Sequence, residues 1–228
     1  MEQLTDCSKS ISANMTFSEI SLDLLKGFAV TLQLFFVTLI FAIPLGIILT
    51  IIQKCKIKIV KVVIQTFIWV IRGTPLMLQV IAVYYGPAIL FEAKMLPRLV
   101  AVLVAFIVNY ACYFSEIFRG GFDSVSKGQY EAGLVLGMTR PQIFFKVILL
   151  QVVKNIVPPM SNEVITLVKD TSLARVIVVA EILKVAGDYT AKGLIWPLFY
   201  TAVYYLAFIG ILTIIFKCLE RKLDYFKV

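Results

Sequence analysis

Histidine is absent from this 228-residue chain, and its cysteines are few and scattered. The lack of histidine removes the commonest metal ligand and general base. The four cysteines form no CxxC pair, so we expect neither a zinc site nor a redox dithiol. They are Cys7, Cys55, Cys112 and Cys218. No serine, cysteine or pair of acidic residues completes a recognisable catalytic set, so we predict no catalytic residues, no metal and no enzyme.

Charged residues are also sparse, at 16% of the chain, whereas hydrophobic residues make up 60% and the mean hydropathy is +0.92. Soluble domains are closer to half apolar, so the composition predicts a membrane protein. The net charge is +8, but most lysines and arginines lie at the ends of apolar runs, where they meet lipid headgroups. We therefore expect membrane lipid, and no nucleic acid, as a partner.

Five apolar stretches are long enough to cross a bilayer, which needs about 20 residues. They are residues 27–53, 62–91, 99–115, 146–168 and 193–216. Arg72-Gly-Thr-Pro75 interrupts the second stretch. Residues 176–180 form a further apolar piece that is too short to cross, so we expect it to be re-entrant or interfacial. The sequence thus predicts an all-α membrane protein with about five transmembrane helices.

The polar residues 1–22 lack the features of a secretory signal. A capping-box pattern from Thr16 to Glu19 predicts a short amphipathic helix there, lying at the membrane surface. A transmembrane domain follows over residues 23–220, and residues 221–228 form a tail. Basic residues cluster in three segments, which the positive-inside rule places in the cytoplasm with the C-terminus, so the N-terminus lies outside. The clustered residues are Lys54, Lys56, Lys58, Lys61, Arg119, Lys127, Arg140, Lys146, Lys217, Arg221, Lys222 and Lys227.

A short polar segment separates the third and fourth apolar stretches. Ser126 with Gln129 and Thr139 with Gln142 match capping boxes, and Gly137 stands where a left-handed helix cap belongs. We therefore expect a helix, a glycine turn and a second helix, facing the cytoplasm. The first helix suits docking into a groove of another protein, and the alternative is an ordinary loop helix. The segment spans residues 126–142, and its candidate docking residues are Tyr130, Glu131, Ala132, Gly133, Leu134 and Gly137.

The run from Tyr130 to Arg140, YEAGLVLGMTR, closely resembles the EAA loop of ATP-binding-cassette importer permeases. Three further stretches resemble, in order and spacing, the polar amino acid permeases of the histidine, glutamine, arginine and cystine type. They are RGTPL at 72–76, EIFRGG at 116–121 and KDTSL at 169–173. The resemblance covers about residues 22–220. It departs at Leu149-Leu150, where the family loop usually ends in Leu-Pro.

The resemblance implies a type I importer permease fold in a bacterial plasma (inner) membrane, crossing it several times. Such importers combine two permease subunits, two cytoplasmic ATPases and an extracytoplasmic substrate-binding protein, and the two permeases form a homodimer or a heterodimer. The EAA helix rests on the ATPase, so Glu131, Ala132, Gly133 and Gly137 become coupling positions. The chain contains no GxxxxGK[ST] phosphate loop, so we expect no cofactor on it and place ATP and Mg²⁺ on the partner ATPase.

Polar side chains at bilayer depth are costly unless they face a protein interior or a wet path. An amino acid crossing as a zwitterion needs an acceptor for its ammonium group and a donor for its carboxylate. We expect Glu163 or Asp170 to meet the ammonium. Arg72 or Lys169 would meet the carboxylate, unless these charges pair with one another and lock the helices together. The predicted substrate pathway comprises Arg72, Asn162, Glu163, Lys169, Asp170, Thr171 and Ser172.

A second interpretation is a secondary transporter that works alone on an ion gradient, for which the EAA-like run would be accidental. Duplicated secondary transporters show internal repeats, whereas this chain shows none and has an odd number of predicted crossings. The leading prediction is therefore a permease subunit that conducts an amino acid and is driven by a separate ATPase.

Overall fold

The computed structural model describes residues 17–223, and all regular secondary structure in that range is helical. The α-helices, numbered in chain order, are α1 Phe17–Gln53, α2 Lys58–Gly73, α3 Leu76–Phe91, α4 Arg98–Asp123, α5 Lys127–Val135, α6 Arg140–Ile143, α7 Leu149–Asp170, α8 Ile182–Ala191 and α9 Trp196–Leu223. A π-helical turn, Phe144–Ile148, joins α6 to α7, and a 3₁₀ helix, Thr171–Ile177, follows α7.

Four helical segments of the described chain are long and apolar enough to cross a membrane. They are Phe17–Gln53, Arg98–Asp123, Arg140–Ile177 and Trp196–Leu223. Helices α2 and α3 form a fifth if the pair, bent by 107°, counts as one broken span. The predicted all-α membrane fold with about five spans is thus confirmed. Helices are the expected solution because lipid offers no partners to exposed backbone groups.

The break between α2 and α3 falls at Arg72-Gly-Thr-Pro75, as predicted. Pro75 has no N–H to donate to the preceding turn, so carbonyl groups there need other partners. The Thr74 hydroxyl lies 3.0 Å from the carbonyl oxygen of Val70 and 3.2 Å from that of Ile71. The Tyr113 hydroxyl donates to the carbonyl oxygen of Arg72 at 3.4 Å. Side chains therefore stabilise the bend that proline creates.

Three helix ends differ from the sequence-based expectation. Helix α1 is continuous from Phe17, so no break occurs at the predicted boundary near residue 22; the first sixteen residues, including Thr16, lie outside the described range. Helix α4 continues past Ser115 to Asp123. Helix α9 continues to Leu223, so the start of the predicted tail at residue 221 is helical. In α4, the charged residues beyond Ser115 pair with one another, Glu116 with Arg119 and Arg119 with Asp123.

The described chain divides into two compact units. The first contains residues 17–38, 75–106 and 166–210, and the second contains residues 39–74, 107–165 and 211–223. Helices α1, α4, α7 and α9 each contribute to both units, since the boundaries fall within them.

In the first unit, α8 packs against α1. The core here comprises Ile20, Leu24, Ile182, Ala186 and Tyr189. Gly27 permits a close approach, because a Cβ added to it would lie 2.9 Å from the Cα of Ile182. The backbone N–H of Ile182 donates to the Thr31 hydroxyl at 3.4 Å, and the Tyr189 hydroxyl donates to Asp23 at 2.8 Å. These contacts hold α8 against α1. The re-entrant or interfacial placement of residues 176–180, just before α8, stays a prediction.

In the second unit, α1 packs against α4. A Cβ added to Gly46 would lie 2.9 Å from the Cβ of Phe114, so glycine sets the helix spacing. The Thr50 hydroxyl is 2.8 Å from the Gly46 carbonyl oxygen and 3.0 Å from that of Ser115. Gln53 donates from Nε2 to the Ser115 hydroxyl at 3.3 Å. These contacts hold the end of α1 beside the charged residues of α4.

Candidate functional site

The turn between α5 and α6 has the geometry that the sequence predicts. Gly137 has φ +72°, in the left-handed region that glycine adopts without steric cost. Its N–H donates to the Leu134 carbonyl at 2.9 Å, and the Met138 N–H donates to the Gly133 carbonyl at 3.0 Å. These two bonds form a Schellman motif, which ends α5 and reverses the chain.

The two predicted capping boxes have different outcomes. Gln142 accepts the backbone N–H of Thr139 at 2.8 Å through Oε1, which confirms the box at the start of α6. Ser126 occupies the cap position of α5, but its side chain makes no capping hydrogen bond, so the first box is wrong. The backbone N–H of Gln129 instead bonds the Ser126 carbonyl at 3.1 Å, so the helix starts without help from the hydroxyl.

Gly133 lies where α5 packs against α6, and it presents no exposed surface. It is buried, and a Cβ added to it would lie 2.7 Å from the Cγ1 atom of Ile143. Gly133 therefore packs against α6, and its role in docking stays a prediction. Larger residues would push Ile143 away and change the angle between the helices.

The exposed end of this helix–turn–helix is apolar. Val135 is 88% exposed and Leu136 is 78% exposed, and Leu134 is about half exposed beside them. Glu131 and Ala132 are also exposed, whereas Tyr130 is partly buried. We call Glu131, Ala132, Leu134, Val135 and Leu136 the docking tip. Val135 and Leu136 were not among the predicted docking residues, although two consecutive apolar residues before a glycine cap were the available signal.

A π-helical turn connects the docking tip to α7. It covers Phe144–Ile148 and precedes Leu149-Leu150, the position where the resemblance led us to expect proline. Such turns alter the direction of a helix by inserting an extra residue. The chain thus enters α7 through a π-helical turn, and the helix itself continues without a proline at its start.

A chain of four ion pairs runs along one side of α4 in the second unit. Lys54 pairs with Asp123 at 3.2 Å, and Asp123 pairs with Arg119 at 3.3 Å. Arg119 pairs with Glu116 at 2.6 Å, and Glu116 lies 3.7 Å from Arg72. The spacing of Glu116, Arg119 and Asp123 along the helix places all three on one face. We call the five residues the ion-pair ladder.

Arg72 has its ion-pair partner in Glu116, a residue that the sequence analysis quoted in a motif but did not single out. The Arg72 guanidinium also lies 5.0 Å from the centre of the Tyr113 ring, within range for a cation–π contact. Glu116 directly follows the predicted end of the third span at Ser115, and the prediction assigned it no role of its own. Its spacing to Arg119 and Asp123 was the missed signal.

A polar cavity of about 390 Å³ lies beside the ladder. Its lining residues are Gln53, Lys54, Lys61, Gln65, Arg119 and Asp123. Three of the five residues of the ion-pair ladder therefore face an open space rather than packed side chains. A small polar molecule fits such a space and meets both signs of charge within it.

The other predicted pathway residues lie in and after α7. In the second unit, Asn162 is exposed and Glu163 is half-buried. In the first unit, Lys169 is exposed and Asp170 is half-buried at the end of α7. The Thr171 hydroxyl donates to the Val168 carbonyl at 2.7 Å, and the Ser172 hydroxyl donates to the Lys169 carbonyl at 2.8 Å. Both hydroxyl groups thus donate to backbone carbonyl groups of their own helical segment. Toward a substrate, each hydroxyl could therefore act only as a hydrogen-bond acceptor.

Glu181 is a buried acid that the sequence analysis overlooked. It caps α8 by accepting the backbone N–H of Leu183 at 2.8 Å and that of Lys184 at 2.7 Å. Burial raises the pKa of the Glu181 carboxyl, while those two N–H groups and Arg175 act in the opposite direction. Burial and hydrogen bonding to Asp23 likewise raise the pKa of Tyr189 to about 12. Both groups fix the position of α8.

Several apolar spans, a broken helix with charges beside it, and an exposed helix–turn–helix between spans together define a membrane transport permease. Residues 42–225 match the family model described as the binding-protein-dependent transport system inner membrane component. The chain belongs to this family, and it is a multi-pass membrane protein. The predicted permease resemblance is confirmed, and the interpretation as a stand-alone secondary transporter is not supported.

Named relatives align over most of the chain. The L-cystine transport system permease protein TcyB of Bacillus subtilis (strain 168) is 37% identical over 87% of this chain and 85% of the relative. The arginine transport system permease protein ArtQ of the same strain is 36% identical over 88% and 92%. The glutamine transport system permease protein GlnP of Escherichia coli (strain K12) is 38% identical over 69% and 73%.

Solved structures agree with this assignment. A crystal structure described as an amino acid ABC transporter with histidines is 29% identical, covers 91% of this chain and all of its own, and gives a TM-score of 0.82. An inward-facing MetNI methionine ABC transporter gives a TM-score of 0.67 at 16% identity, over 92% of this chain and 99% of its own, which shows a shared fold. The type I importer permease fold is thus confirmed.

Proposed function

We propose that this chain is the permease subunit of an ATP-driven amino acid importer in a bacterial inner membrane. The observation that carries the proposal is the docking tip, where exposed apolar residues project from a rigid turn between two spans. An apolar tip with one acidic residue suits a groove on a soluble partner. The names of the cystine, arginine and glutamine permeases among the relatives support an amino acid as the substrate.

The partner in contact with the tip is a cytoplasmic ATPase that binds ATP and Mg²⁺. The sequence contains no phosphate-binding loop of the GxxxxGK[ST] type, so the energy source lies on another chain. Gly133 packs on Ile143, and the Gly137 turn closes the angle, so α5 and α6 move as one piece. Movement of the ATPase is then transmitted through the π-helical turn to α7. Such rigid-body movement would switch the permease between inward-open and outward-open states, as alternating access requires.

The remaining partners follow from the same family. An extracytoplasmic substrate-binding protein delivers the amino acid, as the family description "binding-protein-dependent" supports. A second permease subunit, identical or similar, completes the pathway. We place the N-terminus outside and the C-terminus inside, because this orientation puts the docking tip and most clustered basic residues on the cytoplasmic side.

Charged residues on α2, α4 and α7 provide the substrate pathway in this proposal. The ammonium group of the amino acid competes for Glu116, and its carboxylate competes for Arg72, so each ion pair can be exchanged for a substrate contact. Glu163 or Asp170 supplies a further acceptor, and Lys169 a further donor. Asn162, Thr171 and Ser172 add neutral acceptors.

Replacing Glu163 by glutamine tests the pathway assignment. Glu163→Gln removes an acceptor charge without changing the shape of the side chain, so uptake of a radiolabelled amino acid into proteoliposomes should fall. Assembly with the ATPase and basal ATP hydrolysis should stay unchanged. Unchanged uptake would remove Glu163 from the pathway.

Altering the docking tip tests the partner assignment. Val135→Asp combined with Leu136→Asp places two charges where the proposal expects an apolar contact, so less ATPase should copurify with the permease and ATP-driven uptake should be lost. Ile57→Asp is a matched control, because Ile57 is an exposed apolar residue in another connecting segment. Normal copurification of the tip variant would contradict the proposal, and so would an equal loss in the control.

A further inference from the structure

A groove with basic walls lies between α7 and α9, at their ends within the second unit. It encloses about 320 Å³. Its lining residues are Lys154, Pro158, Lys217, Glu220, Arg221 and Leu223. We call this space the α7–α9 groove. The ion-pair ladder and the docking tip share no residue with it, so the proposed function leaves the groove without a role.

The lining side chains carry an excess of positive charge. Three of the six residues are basic and one is acidic. Arg221 also lies in the last turn of α9, where unsatisfied carbonyl groups favour nearby cations. Cations arranged in this way attract an anion, and a guanidinium group can bind two oxygens of one phosphate.

An exposed apolar strip on α9 leads into the groove. Ile214 is 65% exposed and Ile211 is 56% exposed, so both present apolar surface on a helix that is long and apolar enough to cross a membrane. Ile214, Lys217 and Arg221 are three and seven residues apart, so they lie on one face of the helix. Apolar surface followed directly by two cations matches a molecule with an acyl chain and an anionic head.

We propose that the α7–α9 groove binds the headgroup phosphate of an anionic phospholipid. Lys217 and Arg221 bind the phosphate from α9, and Lys154 adds charge from α7. The acyl chains lie along the strip that begins at Ile214. A soluble anion would use only the charged half of this surface. The lipid uses both halves, so we name the lipid as the occupant rather than free phosphate.

Native mass spectrometry of the full-length chain in detergent tests this site. Retention of phosphatidylglycerol is compared between the unaltered protein and the double variant Lys217→Gln with Arg221→Gln. Each Lys or Arg near an anionic lipid contributes enough to change binding roughly fivefold, so the double variant should bind about 25-fold more weakly. Arg221→Lys keeps the charge and should retain most of the binding.

The matched control is Lys56→Gln with Lys58→Gln, which removes the same charge from another exposed segment. Phosphatidylcholine and inorganic phosphate serve as further probes. The proposal predicts that the control binds phosphatidylglycerol normally, that phosphatidylcholine binds weakly, and that millimolar phosphate does not displace the lipid.

Three results would overturn the proposal. Equal losses in the control and the groove variant would show a general effect of surface charge. Equal retention of phosphatidylcholine would show that the groove does not recognise an anionic head. Displacement by inorganic phosphate would assign the groove to a soluble anion. These measurements follow lipid binding alone, so their outcome is independent of whether the chain transports an amino acid.

Discussion

Arg72 Nη1 lies 3.7 Å from Glu116 Oε2, and the same Glu116 oxygen is 2.6 Å from Arg119 Nη2. One carboxylate thus holds two guanidinium groups, one on the broken helix pair and one on α4. The shorter contact is the stronger, since charge-assisted hydrogen bonds weaken with distance. The Arg72 guanidinium is therefore the one that a competing carboxylate can draw away from Glu116 more easily.

Glu116→Gln is the direct test of this relationship. The substitution removes the charge that both arginines share, so we expect uptake of the amino acid to fall about tenfold or more, in line with the loss of a hydrogen bond to a charged group. The measurement is the initial rate of uptake into proteoliposomes containing the assembled transporter. Asp123→Asn is the control, because Asp123 lies at the more exposed end of the ladder. A larger loss for Asp123→Asn than for Glu116→Gln would contradict the assignment.

Two glycine substitutions in the helix–turn–helix should act with opposite sign. Gly137→Ala forces a side chain into the left-handed region and should weaken the end of α5 by about 1–2 kcal/mol. In Gly128→Ala, the added Cβ would have its nearest neighbour, the Ser126 hydroxyl oxygen, at 3.9 Å. This substitution should therefore stabilise the same helix by about 1 kcal/mol. Hydrogen–deuterium exchange of the α5 amides measures both. Faster exchange in Gly128→Ala, or slower exchange in Gly137→Ala, would show that the turn is not held as described.

Gly27→Ala should destabilise the contact of α8 with α1. The added Cβ would lie 2.9 Å from the backbone of Ile182, which cannot move without the whole segment, so a cost of about 1–3 kcal/mol is expected. Gly187→Ala is the matched control in α8, because its added Cβ meets no atom within 4 Å. The midpoint of thermal unfolding in detergent should fall for Gly27→Ala only.

The spans and the glycine turn were predictable because their signals are local. Long apolar runs specify the helices that cross lipid, and a glycine after a short polar helix specifies a left-handed cap. The end of α4 was not predictable in this way. A charged residue just after an apolar span, considered alone, is typical of a loop. The pairs formed by Glu116, Arg119 and Asp123 on one helix face instead allow α4 to continue.

The role of Glu181 depends on contacts distant in sequence. Its neighbour Ile182 meets Thr31, which is 151 residues away along the chain. No local pattern around Glu181 encodes that contact, so a reader of the sequence sees only an acidic residue between apolar ones. Burial is decided by how α8 packs on α1, and the altered acid–base behaviour of Glu181 follows from burial.

Glu181 provides a prediction about pH. Because burial raises the pKa of its carboxyl, the folded protein holds the proton more tightly than the unfolded chain does. Its ionisation therefore lowers the free energy of unfolding as the pH rises above the usual range of a glutamate. Glu181→Gln removes this titration and keeps one oxygen, which can accept the N–H of Leu183 or that of Lys184, whereas the carboxylate accepts one with each oxygen.

The unfolding midpoint of Glu181→Gln should accordingly depend less on pH than that of the unaltered protein, between about pH 4 and pH 8. The difference between the two should grow in favour of the variant toward the upper end, because the carboxyl of the unfolded chain loses its proton more readily than the buried carboxyl does. Asp188→Asn is the control, because Asp188 is an exposed acid on the same helix. Parallel curves for Glu181→Gln and the unaltered protein would mean that the Glu181 carboxyl titrates alike in the folded and unfolded states, which is incompatible with its burial at the start of α8.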